Sequence, residues 1–268
     1  MIKLIATDMD GTLLNDKKEL PKEFKKLCEK LFEKNIKLSI SSGRSFSALR
    51  VIFDCLGDMA DEFIYICDNG GNIILPNSRP ITTTIPDNVV LDILKDCEKL
   101  EGVIPVLCCV SDIYYPAYAK KQFQNEINNF YINFSMVDDI LSVKDPVIKI
   151  AICDLKGSLE NCYPVLNKKY GDIMNCVVSG KLWMDVMCKS VSKGNAVENI
   201  QKKYNITPKE TMAFGDYFND APMLEKAYYS YVMDNACDDM KKYGRFIAPS
   251  NNDNGVVKTI CQVLDITL

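Results

Sequence analysis

The 268-residue sequence contains no histidine. That removes the commonest general base and the commonest zinc ligand, so acid–base chemistry falls to carboxylates, lysine, tyrosine or cysteine. Basic residues are not in excess. The 32 Lys and Arg against 36 Asp and Glu leave a formal charge of −4, which offers no footprint for nucleic acid or an anionic membrane. No apolar run approaches the length that spans a bilayer, so no membrane partner is expected. The twelve cysteines are scattered without a Cys-x-x-Cys pair and read as small core hydrophobes. Met1 runs straight into an apolar stretch, so the expectation is a chain without a secretory segment, in a reducing, cytoplasmic compartment. Internal repeats and low-complexity segments are missing too. The 47% hydrophobic and 25% charged content is that of a globular chain able to bury a sizeable core, in one large domain or two smaller ones.

What is present is organised around Asp8-Met9-Asp10-Gly11-Thr12. The apolar residues 2–7 before it read as a buried strand, and open α/β sheets carry their chemistry at such strand ends. Gly11 lets the backbone turn away. On this reading Asp8 attacks phosphorus and Asp10 moves the proton. Residues 21–35 place Phe24, Leu27, Cys28, Leu31 and Phe32 at helical spacing, with Pro21 to start and Asn35 to stop. Residues 36–41 form a strand closed by Ser42-Gly43-Arg44. A helix with Leu49, Ile52 and Phe53 follows, then a strand over residues 63–67 ending at Asp68-Asn69-Gly70-Gly71. That alternation predicts a parallel sheet with crossover helices.

The rhythm breaks near residue 80. Residues 81–186 predict a β segment at 81–85, a helix through Val89 and Leu100, and strands at 103–110, 147–153, 173–179 and 182–187. They also predict a helix at 158–170 and a polar helix within 120–135. The first rhythm then returns, with helices at 193–204 and about 255–264 and strands at 211–214, 229–233 and 246–248. The expectation is an α/β protein. A core of residues 1–80 and 187–268 is split by an inserted module at 81–186, and the two linkers form a hinge.

Each chemical feature has a plain alternative. The spacing of Asp8, Asp10 and Asp16 resembles an EF-hand loop, but Leu13 stands where that loop needs glycine and a strand precedes it. The pentapeptide could be a polar turn. Gly215-Asp216-Tyr217-Phe218-Asn219-Asp220 could be a loop with a helix cap, Ser42-Gly43-Arg44 a turn with a solvated arginine, and Lys193 a surface charge. Together they weigh more, because three strand ends would gather Asp8, Asp10, Asp216 and Asp220. Two carboxylates about 4 Å apart repel by roughly 4 kcal/mol at an effective dielectric near 20, so a hard divalent cation fits. Oxygen ligands without His or Cys favour Mg²⁺ over zinc. Ser42 and Lys193 supply the hydroxyl donor and positive charge that a transferring phosphoryl group needs.

In order, Asp8-Met9-Asp10-Gly11-Thr12, Ser42-Gly43-Arg44, Lys193 and Gly215-Asp216-Tyr217-Phe218-Asn219-Asp220 resemble the four motifs of the haloacid dehalogenase-like hydrolases, in particular the Cof-type phosphatases. Asn69-Gly70, Val191-Ser192-Lys193-Gly194, Asn235-Ala236 and Asn251 with Gly255-Val256 extend the likeness over nearly the whole chain. The resemblance implies a Rossmann-like core with an inserted α/β cap and an aspartyl-phosphate on Asp8. It makes Asp10 the acid for the leaving alcohol and then the base for water, which calls for neighbours that raise its pKa. Ser42, Gly43, Arg44, Lys193 and Asn219 would bind the phosphate. Mg²⁺ would sit on the Asp8 carboxylate, the Asp10 carbonyl and Asp216, with Asp220 bound directly or through water.

Ser42 replaces the commoner threonine and keeps the hydroxyl. Asp234 stands where glycine is usual. Tyr217 and Phe218 are unusual aromatics that would either narrow the pocket or, as the favoured expectation, pack under the cap. The expected substrate is a small phosphorylated metabolite, a sugar phosphate first, with nucleotides, flavin mononucleotide and pyridoxal phosphate as other candidates. A phosphosugar mutase and a non-catalytic sensor on the same scaffold are the alternatives. Tyr114, Tyr115 and Trp183 are candidates for selecting the substrate, with buried packing the competing role.

Overall fold

The computed structural model describes residues 1–119, 121–130 and 134–268. The chain divides into two compact units, Met1–Ile81 with Ser192–Leu268, and Thr82–Val191. Among the described residues no helix is long and apolar enough to cross a membrane.

The first unit is built on Leu4–Asp8, a strand whose five residues are all buried. Burial on both faces explains why it opens on the consecutive apolar residues Leu4-Ile5-Ala6. It pairs in parallel with Lys37–Ser41 on one side and Thr211–Gly215 on the other. Beyond them lie Ile64–Cys67, Asn72–Ile74 and Ile81–Thr82 on one edge, and Tyr229–Met233 and Phe246–Ala248 on the other. Chain order reverses at Leu4–Asp8, so the crevice beyond its carboxyl end is the topological switch point where such sheets bind ligands.

Alternation along the strand sends neighbouring residues to opposite cores. Ile5 joins Phe24, Leu27, Leu31, Phe53, Phe63 and Ile260 on one face. Leu4 and Ala6 join Ile66, Val197, Ile200, Met223 and Val232 on the other. The Phe24–Glu33 helix buries Phe24, Leu27, Cys28 and Leu31 as its spacing predicts, and it stops where Asn35 takes φ 55°.

The second unit is a six-stranded sheet in the order Met174–Gly180, Trp183–Cys188, Val147–Asp154, Val103–Cys109, Ile113–Pro116, Ser135–Val137. Every pair is antiparallel except the last. One face packs on the Asp87–Cys97 and Cys162–Tyr170 helices. The other takes Phe123 and Ile127 from the Lys121–Phe130 helix, together with Tyr115 and Trp183. Of the polar helix expected within residues 120–135, the part at 121–130 is helical, Ser135 belongs to a strand, and residues 120 and 131–133 lie outside the described residues.

The helix expected from residue 158 starts at Cys162. Ser158 instead donates its hydroxyl to the carbonyls of Gly180 (2.9 Å) and Trp183 (3.1 Å), while the Asp154 carboxylate accepts from the Cys162 N–H at 3.0 Å and opens the helix. Among the described residues no two cysteines form a disulfide.

Asp96 joins two helices of this unit. It accepts from Lys169 (2.5 Å), Lys99 (2.8 Å) and the Tyr170 hydroxyl (2.7 Å). Burial pushes its pKa up, but these donors outweigh that and hold it well below the usual carboxylate range. A depressed folded-state pKa stabilises the fold above the unfolded value, and the contribution fades as pH falls through the folded one. Both lysines are largely exposed, which screens the pairs. Asp96→Asn is therefore expected to cost about 1 kcal/mol at pH 7. The gap from wild type should close below about pH 4 in denaturant titrations, as the unfolded carboxylate protonates. A gap that widens in acid would contradict this.

Candidate active site

Strand ends of the first unit bring the predicted residues together. Asp8 is the last residue of Leu4–Asp8, Ser42 follows Lys37–Ser41, and Asp216 follows Thr211–Gly215. Lys193 opens the Lys193–Tyr204 helix, whose cap Ser192 accepts from the Asn195 N–H at 3.0 Å. A cavity of about 300 Å³ is lined by Asp8, Asp10, Ser42, Gly43, Lys193, Asp216, Tyr217 and Asn219. Gly11 has φ 85°, and a Cβ there would lie 2.4 Å from Asp216 Oδ2, so the turn after Asp10 closes against Asp216 only with glycine.

Lys193 is 1% exposed and serves two carboxylates. Its Nζ lies 2.5 Å from Asp8 Oδ1 and 2.6 Å from Asp220 Oδ1. Burial would lower its pKa, but Asp220 and Asp8 hold it above the usual lysine value. The other oxygen of Asp220 accepts from the backbone N–H of Asp216 (3.1 Å) and Tyr217 (3.2 Å), so Asp220 closes its own loop while it anchors the ammonium.

One ammonium does not offset three carboxylates. Burial, then repulsion from Asp220, pushes Asp8 up to about 8 despite Lys193, with Asp216 adding to the repulsion. Asp216 is pushed up to about 6, mainly by burial, although Thr12 donates to its Oδ1 at 2.8 Å. Oxygens of Asp8, Asp216 and Asp220 lie within 4.8 Å of one another. An all-oxygen donor set that carries uncompensated negative charge fits Mg²⁺, the ion the resemblance implies. Asp8 and Asp216 would hold it. Asp220 already takes three donors and has the least capacity left.

Asp10 and Arg44 differ from expectation. Arg44 grips the Asp10 carboxylate with two nitrogens, at 3.1 Å and 3.0 Å, and Lys18 Nζ reaches it at 2.9 Å. Burial raises the Asp10 pKa, but the Lys18 hydrogen bond and the Arg44 charge more than reverse it, and the net shift is downward. The expectation of a raised value is overturned because these two cations favour the ionised form. Arg44 is thus held on Asp10. Asn219 is exposed and donates to Asn69 Oδ1 at 3.3 Å. Tyr217 lines the cavity, and its ring stands edge-on to that of Phe218 with centroids 5.5 Å apart.

Sequence reasoning missed three supports of the turn after Asp8. Lys18 holds φ 63° in a turn where Asn15 Oδ1 accepts from the N–H groups of Lys17 and Glu19. Asn235 donates to the Gly11 carbonyl at 2.8 Å. The buried Asn251 donates to the Leu14 carbonyl at 3.0 Å. Both asparagines stand in stretches that carry the family likeness. Lys18 had no signal beyond a run of polar turn residues.

The sequence matches the family described as haloacid dehalogenase-like hydrolase over residues 5–260. It is 26% identical over 268 residues to the Escherichia coli protein named 5-amino-6-(5-phospho-D-ribitylamino)uracil phosphatase YbjI, with 98% of this chain and 96% of that one covered. It is also 26% identical to phosphatase YwpJ of Bacillus subtilis, over 98% of this chain and all of that protein. The fold superposes on the crystal structure of SMU.1108c from Streptococcus mutans with a TM-score of 0.86 at 26% identity, covering 99% of this chain and 100% of that one. With the motif residues converging on one cavity and the family matched almost end to end, the chain belongs to the haloacid dehalogenase-like hydrolases, among the Cof-type phosphatases its sequence resembles.

Proposed function

We propose that the protein is a Mg²⁺-dependent phosphatase that hydrolyses phosphate monoesters of small metabolites, sugar phosphates foremost, through an aspartyl-phosphate on Asp8. The observation that carries this reading is the buried Lys193 ammonium bridging Asp8 and Asp220 and lining one cavity with Asp216, Ser42 and Asn219. The E. coli relative's name describes a phosphate ester on a ribityl chain, which is chemically close to a sugar phosphate.

An Asp8 oxygen attacks phosphorus in line as the ester P–O bond breaks, and the leaving alkoxide takes a proton from Asp10. Water then attacks the acyl-phosphate, gives its proton to Asp10 and releases inorganic phosphate with Asp8 restored. The ion pairs with Lys18 and Arg44 hold Asp10 ionised. The acid step therefore requires the incoming phosphoryl dianion to draw off those cations and raise the proton affinity of Asp10. Lys193 and the Ser42 hydroxyl bind the equatorial oxygens, and Gly43 brings its backbone close. Mg²⁺, if held by Asp8 and Asp216, would supply the positive charge that lets a phosphoryl dianion approach the Asp8 carboxylate.

In this reading the residues 82–191 unit is the cap that selects the leaving group. The reading keeps the reducing, cytoplasmic setting expected from the sequence.

A panel of phosphorylated metabolites assayed for inorganic phosphate tests the function. Steady release without isomerised product is expected; an isomerised phosphosugar would make the protein a mutase, and binding without turnover a sensor. EDTA is expected to abolish release and Mg²⁺ to restore it. Full activity in chelator would contradict the metal assignment.

A further inference from the structure

The turn after Ile64–Cys67 has no role in the chemistry above, yet it touches every loop that lines the cavity apart from the one carrying Asp8. Its backbone takes three consecutive positive φ values, 49° at Asp68, 55° at Asn69 and 104° at Gly70. Two non-glycine residues in the left-handed region are an unfavourable local choice that surrounding contacts must enforce. Those contacts are specific. The Asp68 N–H donates to the Arg44 carbonyl and the Asn69 N–H to the Ser42 carbonyl, both at 3.0 Å. A Cβ on Gly43 would stand 3.2 Å from the Asn69 amide nitrogen, so the two are in contact. Asn69 Oδ1 accepts from Asn219 Nδ2 at 3.3 Å. At Gly70 a Cβ would come within 2.4 Å of the Ser192 carbonyl, so the turn rests on the backbone just before Lys193.

We propose that Asn69 is a positioning residue for anion binding: its turn and its amide fix Ser42-Gly43, Asn219 and the start of the Lys193 helix as one cradle. Asn219 has two amide N–H groups. Asn69 takes one, which fixes the plane of the amide and leaves the other to an anion in the cavity that Asn219 lines. Asparagine suits the position because it tolerates left-handed backbone while keeping an acceptor. The proposal rests on the reading of this cavity as a phosphoryl site.

Isothermal titration of the full chain with inorganic phosphate in the presence of Mg²⁺ tests it without asking for turnover. Asn69→Gly keeps the backbone conformation and removes the amide, so an unchanged melting temperature is expected. Its phosphate Kd should rise about fivefold, the effect of one lost hydrogen bond. Asn219→Ala should cost a similar factor in the wild-type background and nothing further in Asn69→Gly. Asn69→Asp keeps both the turn and the acceptor, so in that background Asn219→Ala should regain its full cost. The ratio within one background cancels the added charge. Equal cost of Asn219→Ala in all three backgrounds, or an Asn69→Gly protein that binds phosphate as wild type does, would overturn the proposal. Phosphate binding with the predicted coupling but no ester hydrolysis would uphold the cradle and sink the hydrolase reading instead.

Discussion

Asp8→Asn is expected to reduce phosphate release by at least about 10⁴-fold, the scale seen when a nucleophile is removed from a covalent mechanism. The fold should survive. The substitution is isosteric and removes one of three carboxylates that repel one another, while Lys193 keeps Asp220 at 2.6 Å. Thermal unfolding should therefore give a melting temperature equal to or above that of wild type, so the loss cannot be assigned to unfolding. Phosphate binding should persist, because Ser42, Lys193 and Asn219 are untouched. Turnover retained within tenfold of wild type would remove Asp8 from the nucleophile's role.

Lys193→Met carries the largest expected cost in stability. The lysine is 1% exposed, and its removal strands Asp8 and Asp220 next to each other in a buried site. Breaking a buried pair by deleting one partner typically costs about 3–5 kcal/mol, most of it from the charge left behind. Denaturant unfolding should show this loss, and Asp220→Asn in the same background should recover part of it by removing one stranded charge. Turnover should fall by about 10³-fold, because the positive charge aimed at the transferring group is gone. A stability equal to wild type would mean that Lys193 does not hold the two carboxylates in solution.

The core was readable because its strands are short apolar runs ended by polar turns, and because Phe24, Leu27, Cys28 and Leu31 declare one helix face. Strands that escaped reading are short or disguised: Asn72–Ile74 has three residues, and Ile113–Pro116 carries two tyrosines and a proline. The carboxylates that line the cavity and Lys193 were legible since they sit just after a strand or at the start of a helix. What could not be read is how side chains pair across the fold. The Lys18 contact with Asp10 is made from a left-handed turn that no spacing announces, and Arg44 reaches Asp10 from a different strand end, 34 residues on. The loop that carries Tyr217 and Phe218 is closed by Asp220, which accepts from the backbone N–H groups of Asp216 and Tyr217, a bond that sequence spacing does not reveal. Tyr115 and Trp183 proved to be core residues of the inserted unit: Tyr115 meets Phe134 edge-on with centroids 5.2 Å apart and Trp183 is 7% exposed.

The central claim is a covalent bond between Asp8 and phosphorus, and trapping it is the most direct test. Enzyme mixed with substrate and Mg²⁺, quenched in acid and reduced with borohydride converts an acyl-phosphate to homoserine, which peptide mass spectrometry locates. The account predicts homoserine at residue 8 alone, absent without substrate and absent in Asp8→Asn. Phosphate released in full with residue 8 unmodified, or the mark found on Asp10 or Asp216, would contradict it.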